Sequence, residues 1–484
     1  MKKTVRKRFP FPTTALLPFF LPSYISHVFY VSILALIPKN FNHIFTFSFL
    51  PHILKQRKIR GVFMNTASLK SMQTDHPDEG TLQLYVLSSI RNQPVADASV
   101  QISYTGDPDS IIEEAKTDAN GMIPELQLPA PPLEYSMAPS EYQPYAEYTF
   151  HISKEGFENL DISGAEILPD ATAIQRAVLS PQTAPETFED IVIPAHTLYG
   201  EYPEKIPEDE IKPMDTSGEI VLSRVVIPEY IVVHDGSPSD STAKDYYVRY
   251  RDYIKNVASS EIYATWPDNT IRANVLAIMS FTLNRVYTEW YRNKGYDFTI
   301  TSSTAFDHKW IHGRNIFESI SRIVDELFDN YLSRPGVRQP ILTQYCDGQR
   351  VQCPNWMTQW GSKYLGDQGY SAIEILRNFY GSNMYINTAE EISGIPASWP
   401  GQPLDIGSSG SKVRQIQEQL NAISNAYPAL SKISVDGVFG ENTQNAVKKF
   451  QQIFGLPATG IIDYSTWYEI QEIYVGVTRI AELV

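Results

Sequence analysis

The 484-residue chain has very little cysteine: Cys346 and Cys353 are its only two. That excludes a disulfide-scaffolded fold, so stability has to come from apolar burial. Positive charge is also short, with 40 Lys and Arg against 55 Asp and Glu and a formal net charge of −15. A nucleic-acid partner would require a basic face, which this balance argues against. No Gly-rich loop ending in Lys is present to cradle phosphate, and there is no His-Glu-x-x-His and no Gly-x-Ser-x-Gly. What is present is 43% hydrophobic content and 12% aromatics, including 29 tyrosines, a composition of folded domains. The length exceeds what one core supports and points to about three domains.

Residues 1–63 lack acid altogether. They hold ten Lys and Arg and no Asp or Glu, leaving 30 basic against 55 acidic residues in the rest. One reading is a signal anchor, with basic Lys2 to Arg8 followed by an apolar run over residues 9–37. Pro10, Pro12, Pro18 and Pro22 interrupt that run, Pro38 follows it directly, and no small-residue cleavage site comes after it. The favoured expectation is a misassigned start with Met64 as initiator, since Arg60-Gly61-Val62 is compatible with a ribosome-binding sequence. A membrane partner is then expected only if residues 1–63 are genuine. A chain starting at Met64 has no clear cleavable signal peptide.

Over residues 80–180 short alternating runs are separated by turn residues, which predicts an all-β sandwich. Thr81-Leu82-Gln83-Leu84-Tyr85-Val86 and Ser99-Val100-Gln101-Ile102-Ser103-Tyr104 alternate strictly, and Asp118-Ala119-Asn120-Gly121 supplies a tight turn. The segments 94–100, 117–121 and Lys154-Glu155-Gly156-Phe157 resemble the carboxypeptidase-regulatory-like family, which implies a spacer or adhesion module without chemistry. A Pro- and acid-rich linker is expected over 181–220, then an α+β domain over 221–392. A short linker including Trp399-Pro400-Gly401 leads to a small three-helix module over 400–475.

In that last module Leu404, Val413, Ile416 and Leu420 fall at helical spacing, and Thr443 is placed to cap a helix from Gln444 to Phe450. There is also an internal repeat. Gly437-Val438-Phe439-Gly440-x-x-Thr443 recurs 23 residues later as Gly460-Ile461-Ile462-Asp463-x-x-Thr466. The ordered set Gly407, Gly410, Gln417, Asp436-Gly437-Val438-Phe439-Gly440, Thr443, Phe450-Gln451, Gly455-Leu456, Thr459-Gly460 and Thr466-Trp467 resembles the peptidoglycan-binding type 1 domain. The resemblance implies peptidoglycan as partner and a wall- or spore-associated protein. Asp436, Phe439 and the loop after Gly455 are its expected contacts.

In the central domain Arg224 to His234 reads as a strand, and Asp252 to Glu261 as a helix ending near Ala264. Asp268 is a plausible cap for a long helix carrying Ile271, Val275, Ile278, Phe281 and Val286, with Gly295 ending it. The segment 253–267, the run 271–277 and the segment 356–380 resemble the stage II sporulation protein D family, whose members include lytic transglycosylases and amidase enhancers. The resemblance implies glycan contacts at Trp266 and Gln359 and a catalytic role for Glu261. Hydrolysis of a glycosidic bond normally takes two carboxyl groups. A lytic transglycosylase needs one, which protonates the leaving oxygen and then takes the proton of an internal hydroxyl. Apolar neighbours would keep Glu261 protonated. Met279-Ser280-Phe281 and Gln352-Cys353-Pro354-Asn355-Trp356 depart from the family pattern, so glycan cleavage and non-catalytic wall or spore-layer binding both stay open.

No cofactor is required by either function. Cys346 and Cys353, with His308 and His312, contain the residue types of a zinc site. A disulfide and two unlinked thiols are the alternatives.

Overall fold

The computed structural model describes residues 77–478 apart from 91, 183–187, 196–197, 201–202, 214–221, 223, 390, 394–399 and 401. Residues 1–63 and Met64 lie outside the described residues, as does Trp399. Among the described residues no helix is long and apolar enough to cross a membrane. The fold mixes α and β structure and ends in a helical module.

The first strands are β1 (Asp78–Ser88), β2 (Ser99–Tyr104), β3 (Asp107–Lys116) and β4 (Leu126–Ala130), followed by one helical turn, α1 (Glu134–Met137). Then come β5 (Ala146–Ser153), β6 (Asn159–Ile167), β7 (Thr172–Leu179) and β8 (Phe188–Val192). They form a five-stranded sheet, β3-β2-β5-β6-β8, and a four-stranded sheet in which β7, β1 and β4 are neighbours. Alternation along β1 sends Leu82, Leu84 and Val86 into the shared core, as the sequence pattern requires. The Asn120-Gly121 turn forms as expected. Gly121 takes φ +74°, and Asp118 Oδ1 accepts from the Asn120 and Met122 amides (2.8 and 3.0 Å). Part of the expected linker is ordered structure, since β8 pairs in parallel with β6.

The next strands are β9 (Val226–Ile227), β10 (Tyr230–His234) and β11 (Asp245–Arg249), leading into α2 (Tyr250–Glu261) and α3 (Asp268–Tyr287). After them come β12 (Ile300–Thr301), β13 (Ile316–Phe317), α4 (Glu318–Leu327), β14 (Asn330–Ser333), β15 (Tyr345–Cys346) and β16 (Met357–Thr358). Helices α5 (Gln359–Asp367) and α6 (Ala372–Tyr380) and strands β17 (Tyr385–Thr388) and β18 (Glu391–Ile392) complete this region. Helix α3 is buried on nearly every side, and α2, α4, α5 and α6 pack around it. A one-stripe reading of its apolar residues therefore understates its position.

Two expected boundaries shift. Asp268 is the first residue of α3 rather than its cap, and its carboxylate bridges Arg272 and Arg322. The helix stops at Tyr287, and Gly295, at φ +83°, closes the separate 3₁₀ turn Arg292–Lys294.

The two regions share one core. Strand β13 adds to the four-stranded sheet by pairing with β7, and buried Arg314 reaches Glu166 of β6 (2.9 Å). The C-terminal module is built from α7 (Ser411–Ile423), α8 (Glu441–Ile453) and α9 (Tyr464–Thr478). Helix α8 begins at Glu441, so Thr443 lies inside it instead of capping it.

Candidate functional site

Glu261 is the last residue of α2 and is only 3% exposed. Its carboxylate is held from two sides. The Lys309 amide donates to Oε1 (2.7 Å), and Gln359 Nε2 donates to Oε2 (3.2 Å) and to the Glu261 carbonyl (2.7 Å). Burial pushes the Glu261 carboxyl above its ordinary value, and the nearby Lys205 charge and these hydrogen bonds oppose that rise. Lys205 is itself pushed down by burial. Its ammonium donates to the Asp307 carbonyl and sits 4.8 Å from the centre of the Tyr345 ring.

The cavity in front of Glu261 measures about 20 Å³ and is lined by Pro203, Lys205, Thr304, Tyr345, Asp347 and Gln359 among others. That is room for roughly one water and far too little for a sugar ring. It is bordered on one side by Pro203 and Lys205 of a strap, residues 203–213, from the segment expected to be a linker. The strap carbonyls and amides are matched by buried glutamines. Gln344 Oε1 accepts from the Glu208 amide (2.8 Å) while its Nε2 donates to the Ile206 carbonyl (2.7 Å). Gln339 treats Lys212 in the same way (2.7 and 3.3 Å). Glu208 bridges Lys212 and the fully buried Arg285, which also pairs with Asp307 (2.8 Å). Glu210 binds Arg334 through both oxygens (2.6 Å each). Sequence reasoning missed Lys205 and Glu208, because proline and acid content masked an anchored segment. Their signal is the buried complement, Arg285, Gln339 and Gln344.

Trp266, expected to touch glycan, is buried. Its Nε1 donates to the Ser136 carbonyl (2.9 Å), and its ring packs on Tyr263 and Trp360. It joins α1 to the helical region and has no face left for a sugar. Gln359 is likewise buried, lines the cavity before Glu261 and donates to Glu261.

The cysteine expectations resolve to the disulfide. Cys346 and Cys353 are bonded to each other across Cα atoms 6.1 Å apart, so neither offers a thiolate and the zinc set does not fit. His308 lies apart from any such set. It is fully buried, its Nδ1 meets the Tyr253 hydroxyl (3.2 Å), and burial pushes its pKa well down. His312 stacks on Tyr246 instead.

In the C-terminal module the 23-residue repeat is a repeated cradle. Gln417 Nε2 donates to Asp436 Oδ1 (2.8 Å), the Val438 carbonyl (3.0 Å) and Thr443 Oγ1 (3.2 Å), and its Oε1 accepts from the Gly437 amide (2.8 Å). Gln451 Nε2 donates to Thr459 Oγ1 (3.2 Å), the Ile461 carbonyl (2.9 Å) and Thr466 Oγ1 (3.0 Å), and its Oε1 accepts from the Gly460 amide (2.8 Å). Asp436 is exposed on the first turn, where its Oδ1 also accepts from the Val438 amide (2.9 Å). Phe439 is 1% exposed and belongs to the core, so it makes no surface contact.

The family model described as a peptidoglycan binding domain matches residues 409–470. A zinc D-Ala-D-Ala carboxypeptidase of Streptomyces albus G is 38% identical over 77 residues, 16% of this chain and 28% of that protein. The chain thus spans little more than a quarter of that curated relative. The solved SleB N-terminal domain is 31% identical, with 16% of this chain and 99% of that one covered and a TM-score of 0.14. A Klebsiella pneumoniae 5-hydroxyisourate hydrolase structure is 17% identical, with 21% and 91% covered and a TM-score of 0.15. The C-terminal module is therefore a peptidoglycan-binding domain.

Proposed function

We propose that the whole protein is a peptidoglycan-binding protein of the cell wall or spore layers, and that its Glu261 site does not cleave glycan in the closed form described above. The family match over residues 409–470, joined to the intact double cradle of Gln417 and Gln451, carries the binding part. The curated relative supports it, since its name places it on a D-Ala-D-Ala substrate of the kind found in wall peptides. The Cys346–Cys353 disulfide fits an oxidising compartment such as the wall. The resemblance of residues 80–180 to carboxypeptidase-regulatory-like domains suits a spacer role for the two sheets.

The closed site supports the non-catalytic part. A general acid must reach the leaving oxygen, and Glu261 faces a cavity of about 20 Å³ beneath the strap. A second reading, a lytic transglycosylase in which the strap withdraws, is favoured by one observation: burial raises the Glu261 pKa, as a proton donor requires. The resemblance to the stage II sporulation protein D family belongs with this reading. Incubating the full chain with purified sacculi tests both parts. Retention in the pellet without release of 1,6-anhydro products is expected, and failure to co-sediment would overturn the proposal.

A further inference from the structure

Among the described residues of the C-terminal module, three large apolar side chains are exposed: Ile406 (53%), Val438 (52%) and Ile461 (37%). They sit on three loops held side by side. Leu404 and Ile462 exchange both backbone hydrogen bonds (3.0 and 2.9 Å). Between the next two loops the Gly407 amide donates to the Phe439 carbonyl (3.0 Å), and the Phe439 amide donates to the Ser408 carbonyl (2.8 Å). The turn over residues 405–408, closed by the Ser408 amide on the Asp405 carbonyl (2.9 Å), therefore runs between the segments that carry Ile461 and Val438. Leu404, Phe439 and Ile462 point inward and fill the core, while Ile406, Val438 and Ile461 are left outside.

These side chains are on fixed backbone. The two glutamine cradles lock the Gly437 and Gly460 turns, and Asp436 and Thr459 each brace their turn by accepting from the amide two residues on (2.9 and 3.1 Å). Exposed apolar side chains gathered on adjoining, braced loops mark a candidate interaction site. In a domain of the peptidoglycan-binding family, the polymer itself is the occupant the match supplies.

We propose that Ile406, Val438 and Ile461 form the ligand-contact face of the module, and that they take the alanine-bearing stem peptide of peptidoglycan rather than its glycan strand. The proposal rests on the peptidoglycan-binding reading and deepens it. Ligand sites are lined mostly by apolar and aromatic side chains, and the aromatic rings of the module's described residues are buried or half-buried, whereas these three aliphatic side chains are exposed. Phe439, Phe450 and Trp467 are all buried in its core. Short branched side chains match the methyl groups of alanine residues. Asp436, exposed two residues before Val438, adds a carboxylate that can accept a peptide N–H, its Oδ1 being held by Gln417 and the Val438 amide.

The test uses the full chain and purified sacculi. The triple variant I406S/V438S/I461S is expected to be retained at least tenfold less than the unmodified chain, with an unchanged thermal midpoint because all three side chains are exposed. The nearly isosteric V438T alone is expected to weaken retention about threefold, which keeps the test valid if the triple variant does not fold. Free alanine-containing stem pentapeptide is expected to compete, and a chitin tetrasaccharide is not. Wild-type retention by a folded triple variant would overturn the contact face, and competition by the tetrasaccharide alone would overturn the ligand class. Failure of the unmodified chain to bind would instead bring down the peptidoglycan reading beneath both.

Discussion

Gln417 stands to the Gly437 turn as Gln451 stands to the Gly460 turn, with each buried side-chain amide closing its turn through four hydrogen bonds. The two cradles differ at one position. Where Gln417 meets the Asp436 carboxylate, Gln451 meets the Thr459 hydroxyl. Replacing either glutamine by alanine leaves buried turn amides unpaired, at a cost of about 1–3 kcal/mol for each group. Glutamate discriminates between the sites. Gln417→Glu sets a carboxylate against Asp436, whereas Gln451→Glu meets hydroxyls that can donate to it. Thermal unfolding at pH 7 should show a larger loss for Gln417→Glu, and lowering the pH should recover more of it.

That repeat was legible in the sequence because both copies carry Gly and Thr at the same offsets. The glutamines were harder to read as partners, since they precede their turns by 20 and 9 residues. The β-sheets were legible too, because alternation in β1 and β2 reports directly on a half-buried strand. Phe439 and Trp266, both expected to touch ligand, are buried, and their burial was hard to read for a shared reason. A large aromatic next to a motif reads equally well as a contact or as core, and only the fold shows which way the ring points. The strap was illegible because its partners lie at Arg285, Arg334, Gln339 and Gln344, far along the chain.

Arg251 joins the C-terminal module to the helical region. It binds Asp325 of α4 (3.0 Å) together with Glu469 (3.0 Å) and Glu472 of α9, and Lys255 shares Asp325 (2.8 Å). Removing one member of a buried charge cluster strands the others, at a cost of roughly 3–5 kcal/mol. Arg251→Met should therefore lower the thermal midpoint and speed proteolytic separation of the last module. A midpoint equal to that of the unmodified chain would show that the cluster does not couple them.

Glu208 anchors the strap. Burial pushes its carboxyl up, but the hydrogen bonds and charges of Arg285 and Lys212 outweigh this and hold it at about 2. A depressed carboxyl stabilises the fold above its unfolded value and loses that contribution as pH falls through the folded one. Stability should thus decline from about pH 4.5 toward pH 2. Glu208→Gln should be less stable at pH 7 and flatter across that window in denaturant titrations. An unchanged acid profile would mean that Glu208 is not the strap's ionised anchor.

Glu261 has the opposite sign. Its raised carboxyl favours the protonated folded state, so it costs stability as pH climbs above the ordinary carboxylate range. Glu261→Gln should lose less stability between pH 4 and pH 8 than the unmodified chain does. A steeper decline in the variant would contradict the burial of an acid at that position.

The most direct measurement of the account incubates the full chain, and its Glu261→Gln variant, with purified sacculi. It then follows both the protein in the pellet and the soluble fragments by mass spectrometry. The account predicts equal retention of the two proteins and no 1,6-anhydro fragments from either. Release of 1,6-anhydro fragments by the unmodified chain, abolished in Glu261→Gln with retention intact, would contradict the closed site and make the protein a lytic transglycosylase.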